Sequence, residues 1–259
     1  MPMTSPRTVA IVQARMSSTR LPGKVLMPLA GRPVLAHVVE RLQQCKTLDE
    51  IVIATSDDIS DDAIQRWCED HRIHCFRGNL HDVLDRYFQA AKQFSASAVV
   101  RITADCPALD PAIVDEVVQG FHAGDYDFYG LAGEFPDGLD CTVFAFRALE
   151  RAWREATLPS QREHVGPYIE KQPDLFKNGG LHKFLGLSHL RWTLDEERDY
   201  RFLQAVFERL DQPGRPFSAQ DVLALLEREP QLQELNQHII RNEGYLKSLA
   251  ADRTDHVQP

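Results

Sequence analysis

The chain has 259 residues, 43% of them apolar, with 29 basic against 38 acidic side chains and a formal net charge of −9. That apolar share supports a folded core and excludes global disorder, and the length suits one large α/β domain or one domain with a small appendage. A net negative chain excludes a general nucleic-acid binder, and no apolar run approaches the ~18 residues of a bilayer span, so neither nucleic acid nor membrane is expected as a partner.

The first half alternates short β-rich runs with amphipathic helical stretches. TVAIVQA (8–14) predicts a strand and VLAHVVERLQQC (34–45) a helix. EIVIAT (50–55) predicts a second strand, with a helix over 59–70. IHCF (73–76) predicts a third, followed by a helix over 81–94. SAVVRI (97–102) is the fourth, and 111–122 forms a helix with Pro111 in its first turn. Unalternated runs such as IVIA suit strands buried on both faces, and β-α-β-α order implies a mostly parallel sheet. Ligands of such sheets sit beyond the strand C-termini. The chemistry is therefore expected just after Ala14, Thr55, Phe76 and Ile102.

The second half is less regular. CTVFAF (141–146) predicts a strand, 147–155 a helix, REHVGPYIEK (162–171) a mixed segment, and LRWTL (190–194) a strand followed by helix to about Leu210. A turn over 211–216 closes the core. Ser218 with Asp221 resembles a helix cap. The expected division is a core domain over 1–210, a helical appendage over 211–249 and a flexible tail over 250–259. The five cysteines, Cys45, Cys68, Cys75, Cys106 and Cys141, are odd in number and form no C-x-x-C. They suggest neither a zinc site nor a disulfide framework, and read as reduced thiols. Residues 1–7 lack the apolar stretch of a signal peptide, so the cytoplasm is the expected location.

The segment after the first strand carries the most information. From Gln13 and Ala14 it runs through Arg15, Ser17, Ser18, Thr19 and Arg20 to Gly23 and Lys24. A polyphosphate needs such a loop: backbone N–H groups, hydroxyls and cations on several sides. An exposed basic turn is the alternative. The loop is neither a dinucleotide fingerprint nor a Walker A loop, because the required glycines are missing and Val25 follows Lys24. Two carboxylates, Asp105 and Asp195, each follow a predicted strand and could converge on one cation. The alternative is a pair of solvated loop aspartates or helix caps. Arg77, Asp82 and Arg86 surround the start of the third helix, where an arginine and backbone groups could read a base. A surface Asp82–Arg86 pair is the plain alternative.

Six ordered blocks decide between these readings. QARMSSTRLPGKVL with GRPVLAHVVERL, FRGNLHDVLDRY (76–87), RITADCP (101–107), PDGLD (136–140), REHVGPYI (162–169) and RWTLDEERD (191–199) span roughly 8 to 205. Together they resemble the cytidylyltransferases that make CMP-activated sugar acids, of the CMP-Kdo synthetase and acylneuraminate cytidylyltransferase type. The resemblance is strongest to the spore-coat polysaccharide (SpsF-type) branch. It implies a three-layer α/β/α sandwich of the nucleotide-diphosphosugar-transferase (GT-A-like) kind, with a mostly parallel central sheet. It implies Mg²⁺ on Asp105 and Asp195, and a nucleotide site from Gln13, Ala14, Arg15, Ser18, Arg20, Lys24, Arg77, Asp82, Arg86 and Asp105. Arg15, Lys24, Asp105 and Asp195 become the expected catalytic set.

The acceptor wall is expected from Arg101, Asp140, Thr142, Arg162 and His164. Many members of the family carry glutamate where this chain has Thr142, which puts the acceptor's identity in question more than the reaction. Two arginines favour an anionic acceptor through bidentate pairing. The expected reaction is attack of a sugar or sugar-acid oxygen on the α-phosphorus of CTP, within surface polysaccharide or glycan synthesis, with homodimerisation left open. A GT-A-like glycosyltransferase is the first rival. The basic loop and the lack of a D-x-D motif after a mid-chain strand argue against it. A non-catalytic partner domain is the second, and intact Lys24, Asp105 and Asp195 argue against that.

Overall fold

β1 (Thr8–Gln13) is the centre from which the architecture follows: Val9, Ala10, Ile11 and Val12 have no exposed surface, so both faces of the strand are covered. A computed structural model describes residues 6–212 and 214–255. After β1 and a basic loop come a small hairpin, β2 (Pro28–Leu29) and β3 (Arg32–Pro33), and α1 (Val34–Leu42). β4 (Glu50–Ser56), α2 (Asp62–His71), β5 (His74–Gly78), α3 (Val83–Gln93) and β6 (Ala98–Thr103) continue the alternation. α4 (Pro111–Gly124), β7 (Phe128–Ala132), β8 (Thr142–Ala145), α5 (Phe146–Glu155), α6 (Pro159–His164), α7 (Pro167–Glu170) and β9 (Asn178–His182) follow. α8 (Glu197–Leu210), α9 (Ala219–Arg228) and α10 (Glu243–Asp255) complete the described chain.

Seven strands form one sheet in the order β5-β4-β1-β6-β8-β7-β9. β8 pairs antiparallel with both β6 and β7, while every other pairing in the sheet is parallel. The expected mostly parallel α/β architecture is present. α3 packs against α5 and α6, and its buried Tyr87 hydroxyl lies within hydrogen-bond reach of the Ile11 and Ile102 carbonyls at 3.1 and 3.0 Å. A second helical group is tied by α1. Its His37 ring meets Phe207 of α8, and its Arg41 donates to the carbonyls of Leu109 and Phe217. Asp110 caps α4 through Ala112 N–H and also accepts from Ala219 N–H, which anchors α9.

Three expectations need correction. Residues 190–194 form no strand: a single bridge, Asp137 with Arg191, is all the sheet-like pairing there. Gly138 explains the close approach. It has φ 103°, and a Cβ on it would sit 2.6 Å from the Trp192 backbone, so only glycine fits without displacement. β9 was not predicted, because NGGLH has too few β-formers to announce a strand; β7 holds it by parallel pairing. Finally, α10 keeps regular helix to Asp255, well into the segment expected as a flexible tail. The rest of that tail, 256–259, and the start of the chain, 1–5, lie outside the described residues. Among the described residues no helix is long and apolar enough to cross a membrane, and all five cysteines are free.

Candidate active site

The chain leaves β1 into the basic loop, and the loop's shape is set locally. The Met16 carbonyl accepts from both Ser18 and Gly23 N–H at 2.9 Å. Gly23 has φ 73°, which glycine adopts at no steric cost. Buried Asp61 accepts from Met16 N–H at 2.7 Å and Ser56 N–H at 3.0 Å, so it ties the loop to the end of β4.

The turn delivers Lys24 inward, where it is only 7% exposed. Its Nζ donates to Asp105 Oδ2 at 2.6 Å, Leu194 O at 2.7 Å and Asp195 Oδ1 at 2.8 Å. An ammonium has three donors, and all are committed. Lys24 therefore does not reach for phosphate in this arrangement, contrary to its expected place in the triphosphate clamp. It gathers the two aspartates.

Asp195 is held from two further sides. Arg20 approaches Oδ1 at 2.9 Å and Arg191 approaches Oδ2 at 2.8 Å. Arg191 is buried and also pairs with Asp137 and Asp199. Burial works against ionisation of Asp195, but Lys24 and then Arg20 and Arg191 outweigh it and hold the carboxyl down at about 2. Burial likewise disfavours the Lys24 ammonium, yet Asp105 and Asp195 raise its pKa overall. Arg191, Asp61 and Asp199 were not singled out from sequence; nothing in their spacing distinguishes a positioning residue from a surface charge.

A cavity of about 220 Å³ opens above this cluster. Gln13, Ala14, Arg15, Ser18, Arg20, Lys24, Arg86 and Asp105 line it as expected, joined by Thr19, Thr103, Asp195, Glu243 and Lys247. Arg86 is 1% exposed, and its Nε has no partner among the described residues. The cavity lies beyond β1 and β6, adjacent strands at the sheet centre. The ends of β4 and β5, near Thr55 and Phe76, do not line it. Arg77 and Asp82 are corrections. The Arg77 guanidinium is taken by Ser56 O, Asp58 O, Asp62 and Gln65. Asp82 caps α3 through Asp85 N–H and pairs with Arg162.

A second cavity, about 850 Å³, is lined by Arg101, Asp140, Thr142 and His164 of the expected acceptor wall, and by His182, Arg241 and Tyr245. Arg162 is not among its lining residues: its guanidinium is spent on Asp82 and the Trp153 carbonyl. The two cavities adjoin where Arg101 Nη2 donates to Gln13 Oε1 at 3.4 Å. Arg101 Nε and Asn178 Oδ1 are buried and without partners among the described residues, as polar groups awaiting a ligand would be.

His164 is pushed down to about 4, by burial first and then by Arg101 and Arg15. It is neutral in the folded protein, while an unfolded imidazole titrates near 6.5. Between these values the unfolded chain takes up a proton that the fold refuses. Stability should thus be full above the unfolded value and decline as pH falls toward 4. Melting temperatures measured across that window should show the slope, and His164→Gln should flatten it; an unchanged slope in the variant removes His164 as its source.

The two aspartates fit a divalent cation in part through what they leave open. Among the described residues, Asp105 Oδ1 accepts only the Cys106 thiol, at 3.7 Å. Mg²⁺ asks for one or two carboxylates and takes its remaining ligands from phosphates and water. Asp105 meets that demand directly, and Asp195 does so once Arg20 yields Oδ1.

The family model described as Cytidylyltransferase matches residues 9–244. The spore coat polysaccharide biosynthesis protein SpsF of Bacillus subtilis is 34% identical over 235 residues, covering 85% of this chain and 94% of that protein. A solved structure of a cytidylyltransferase from Leptospira borgpetersenii superposes with a TM-score of 0.84 at 30% identity, over 91% of this chain and all of that one. A CMP:2-keto-3-deoxy-manno-octonic acid synthetase complexed with CTP shares the fold, with a TM-score of 0.58 at 16% identity over 78% of this chain and 99% of that one.

Proposed function

The chain belongs to the cytidylyltransferase family, and from that premise we propose that it transfers CMP from CTP to a carboxylated sugar and releases pyrophosphate. The observation that carries the reading is the Lys24 ammonium drawing Asp105 and Asp195 together at the foot of a cavity lined by Arg15, Arg20 and Arg86. An acceptor hydroxyl oxygen attacks the α-phosphorus and gives up its proton to water, and the bond to the bridging oxygen of the β-phosphate breaks. The leaving pyrophosphate carries away the electron pair. Arg15 and Arg20 hold the triphosphate and offset charge growing on the leaving group. Asp105 and Asp195 would hold the divalent cation, Mg²⁺ in this reading, which when bound neutralises phosphate charge. Arg86, with an unpartnered Nε, faces the same cavity and would orient the nucleotide.

Acceptor binding belongs to the larger cavity. Arg101 and Arg241 supply the two cations that the sequence sought in Arg101 and Arg162. Arg241 is braced by donation to Phe135 O at 2.7 Å and lies over the Phe135 ring. A carboxylate meeting a bidentate guanidinium fits this wall. Thr142 in place of an acidic side chain leaves less negative charge against an acid. The five free cysteines accord with a reducing cytoplasm as the working location.

Pyrophosphate release measured with each of the four nucleoside triphosphates, crossed with sugar acids and neutral sugars, tests the reading. CTP with a sugar acid should give the fastest release. UTP differs where donor and acceptor swap on the base, and a buried group left unpaired costs about 1–3 kcal/mol. Fastest release with a purine nucleotide would overturn the cytidylyl assignment; a neutral sugar outrunning every acid would overturn the acceptor class.

A further inference from the structure

The C-terminal helix does more than append. α10 docks on α6: Ser160 N–H donates to Asp252 Oδ1 at 2.9 Å, and His164 Nε2 lies 3.0 Å from Ser248 Oγ. The Tyr245 ring meets His164 edge-on at 5.0 Å. These contacts hold the first turns of α10 against the nucleotide cavity, where Glu243, Gly244 and Lys247 form part of the lining.

Within that lining one carboxylate serves two cations. Glu243 Oε2 lies 3.1 Å from Arg20 Nη1, and Oε1 lies 2.7 Å from Lys247 Nζ. A phosphate oxygen pair would make the same contacts. We propose that Lys247 is a polyphosphate-binding residue and that Glu243 is its internal competitor, holding Arg20 and Lys247 until a nucleotide takes them. The inference rests on the nucleotide reading of the cavity given above.

Three observations support it. Lys24 has its three donors committed, so Arg15, Arg20 and Arg86 are left for phosphate, and Lys247 is the lysine of the lining still able to join them. The Lys247 pair is exposed, with Lys247 70% accessible, and such pairs exchange readily with solvent and ligands. Arg20 is also crowded: Asp195 at 2.9 Å and Glu196 at 3.7 Å share it with Glu243, so releasing one carboxylate leaves it paired. Lys247 lies beyond the residues shared with the family model, which end at 244.

Calorimetric titration of the full chain with CTP and Mg²⁺ tests the proposal. Lys247→Ala should weaken CTP about fivefold and Lys247→Arg should restore it, the scale of one exposed charge contact. Glu243→Gln should tighten CTP by a similar factor. Melting temperatures without nucleotide should match the parent in all three variants. Parent-like affinity in both Lys247→Ala and Glu243→Gln overturns the proposal and leaves the nucleotide reading standing. Weaker binding in both, with a lowered melting temperature, also overturns it, since the pair would then be structural. Failure of the parent itself to bind CTP overturns the nucleotide reading and this proposal with it.

Discussion

Replacing Lys24 with methionine should lower stability and turnover together. The stem is kept and the ammonium is lost, so two carboxylates are left facing each other without their shared cation. Removing one partner of a buried ion pair costs about 3–5 kcal/mol. The lower end applies because the Asp105 and Asp195 side chains remain 25% and 21% exposed. At roughly 2–4 °C per kcal/mol for a chain of this size, the melting temperature should fall by about 6–12 °C. An exposed phosphate-loop lysine would leave it nearly unchanged, and this contrast separates the two roles. Arg15→Ala is the control, because Arg15 is 44% exposed and should weaken CTP with little change in stability. A wild-type melting temperature for Lys24→Met would show that the lysine does not hold the aspartates in solution.

Asp105→Asn and Asp195→Asn should each reduce turnover by roughly a hundredfold or more, the scale of losing one transition-state electrostatic contact. The two variants should differ in stability. Asp195 is shared by Lys24, Arg20 and Arg191, so neutralising it leaves three cations under-compensated, two of them, Lys24 and Arg191, buried. Asp105 pairs with Lys24 and leaves Oδ1 to the Cys106 thiol. Asp105→Asn should therefore melt nearer the parent and show the larger demand for divalent cation. Pyrophosphate release followed against Mg²⁺ concentration, with melting curves alongside, reads both. Parent-like turnover and metal dependence in Asp105→Asn would remove it from the metal site.

The proton balance of Asp195 adds a sign to this. Its folded value of about 2 lies below the ordinary 3.8. The stability it contributes is complete above the ordinary value and is lost as pH falls toward the folded one. In Lys24→Met the largest favourable partner is gone, so the folded value should rise toward the ordinary one, leaving a smaller contribution whose loss is complete at a higher pH.

Much of the frame was legible because it depends on local pattern. The largely apolar runs at 8–14 and 97–102 read as strands in β-α-β order, and both sit at the sheet centre with their apolar side chains buried. The glycine and the clustered cations of the loop after β1 required a turn and an anion-binding composition, whatever the fold around them. Asp105, three residues beyond a strand, had to lie at the sheet's edge where ligands bind. Motif resemblance then supplied the family.

Pairing choices were not legible, because charge partners come from elsewhere in the chain. Arg77, Asp82 and Arg162 have the residue types of a ligand site, yet each is consumed by structural contacts: Arg77 with Asp62 of α2, Asp82 with Arg162 of α6, and Arg162 also with the Trp153 carbonyl of α5. Nothing in the order of residues reveals that competition. Lys24 looked like one more loop cation; the burial of its head between two distant aspartates decides that it positions carboxylates instead. Arg191, Arg241 and Lys247 are the converse. They are arginines and a lysine in polar stretches, indistinguishable from solvated charges until the bridge at Asp137 sets Arg191 against Asp195 and the fold brings Arg241 and Lys247 to the two cavities. The sequence determines which elements form and which chemistry is available, because those follow from periodicity and side-chain type. Only the tertiary structure decides which charges remain free for a ligand, because each cation pairs with whatever carboxylate or carbonyl the packing brings nearest.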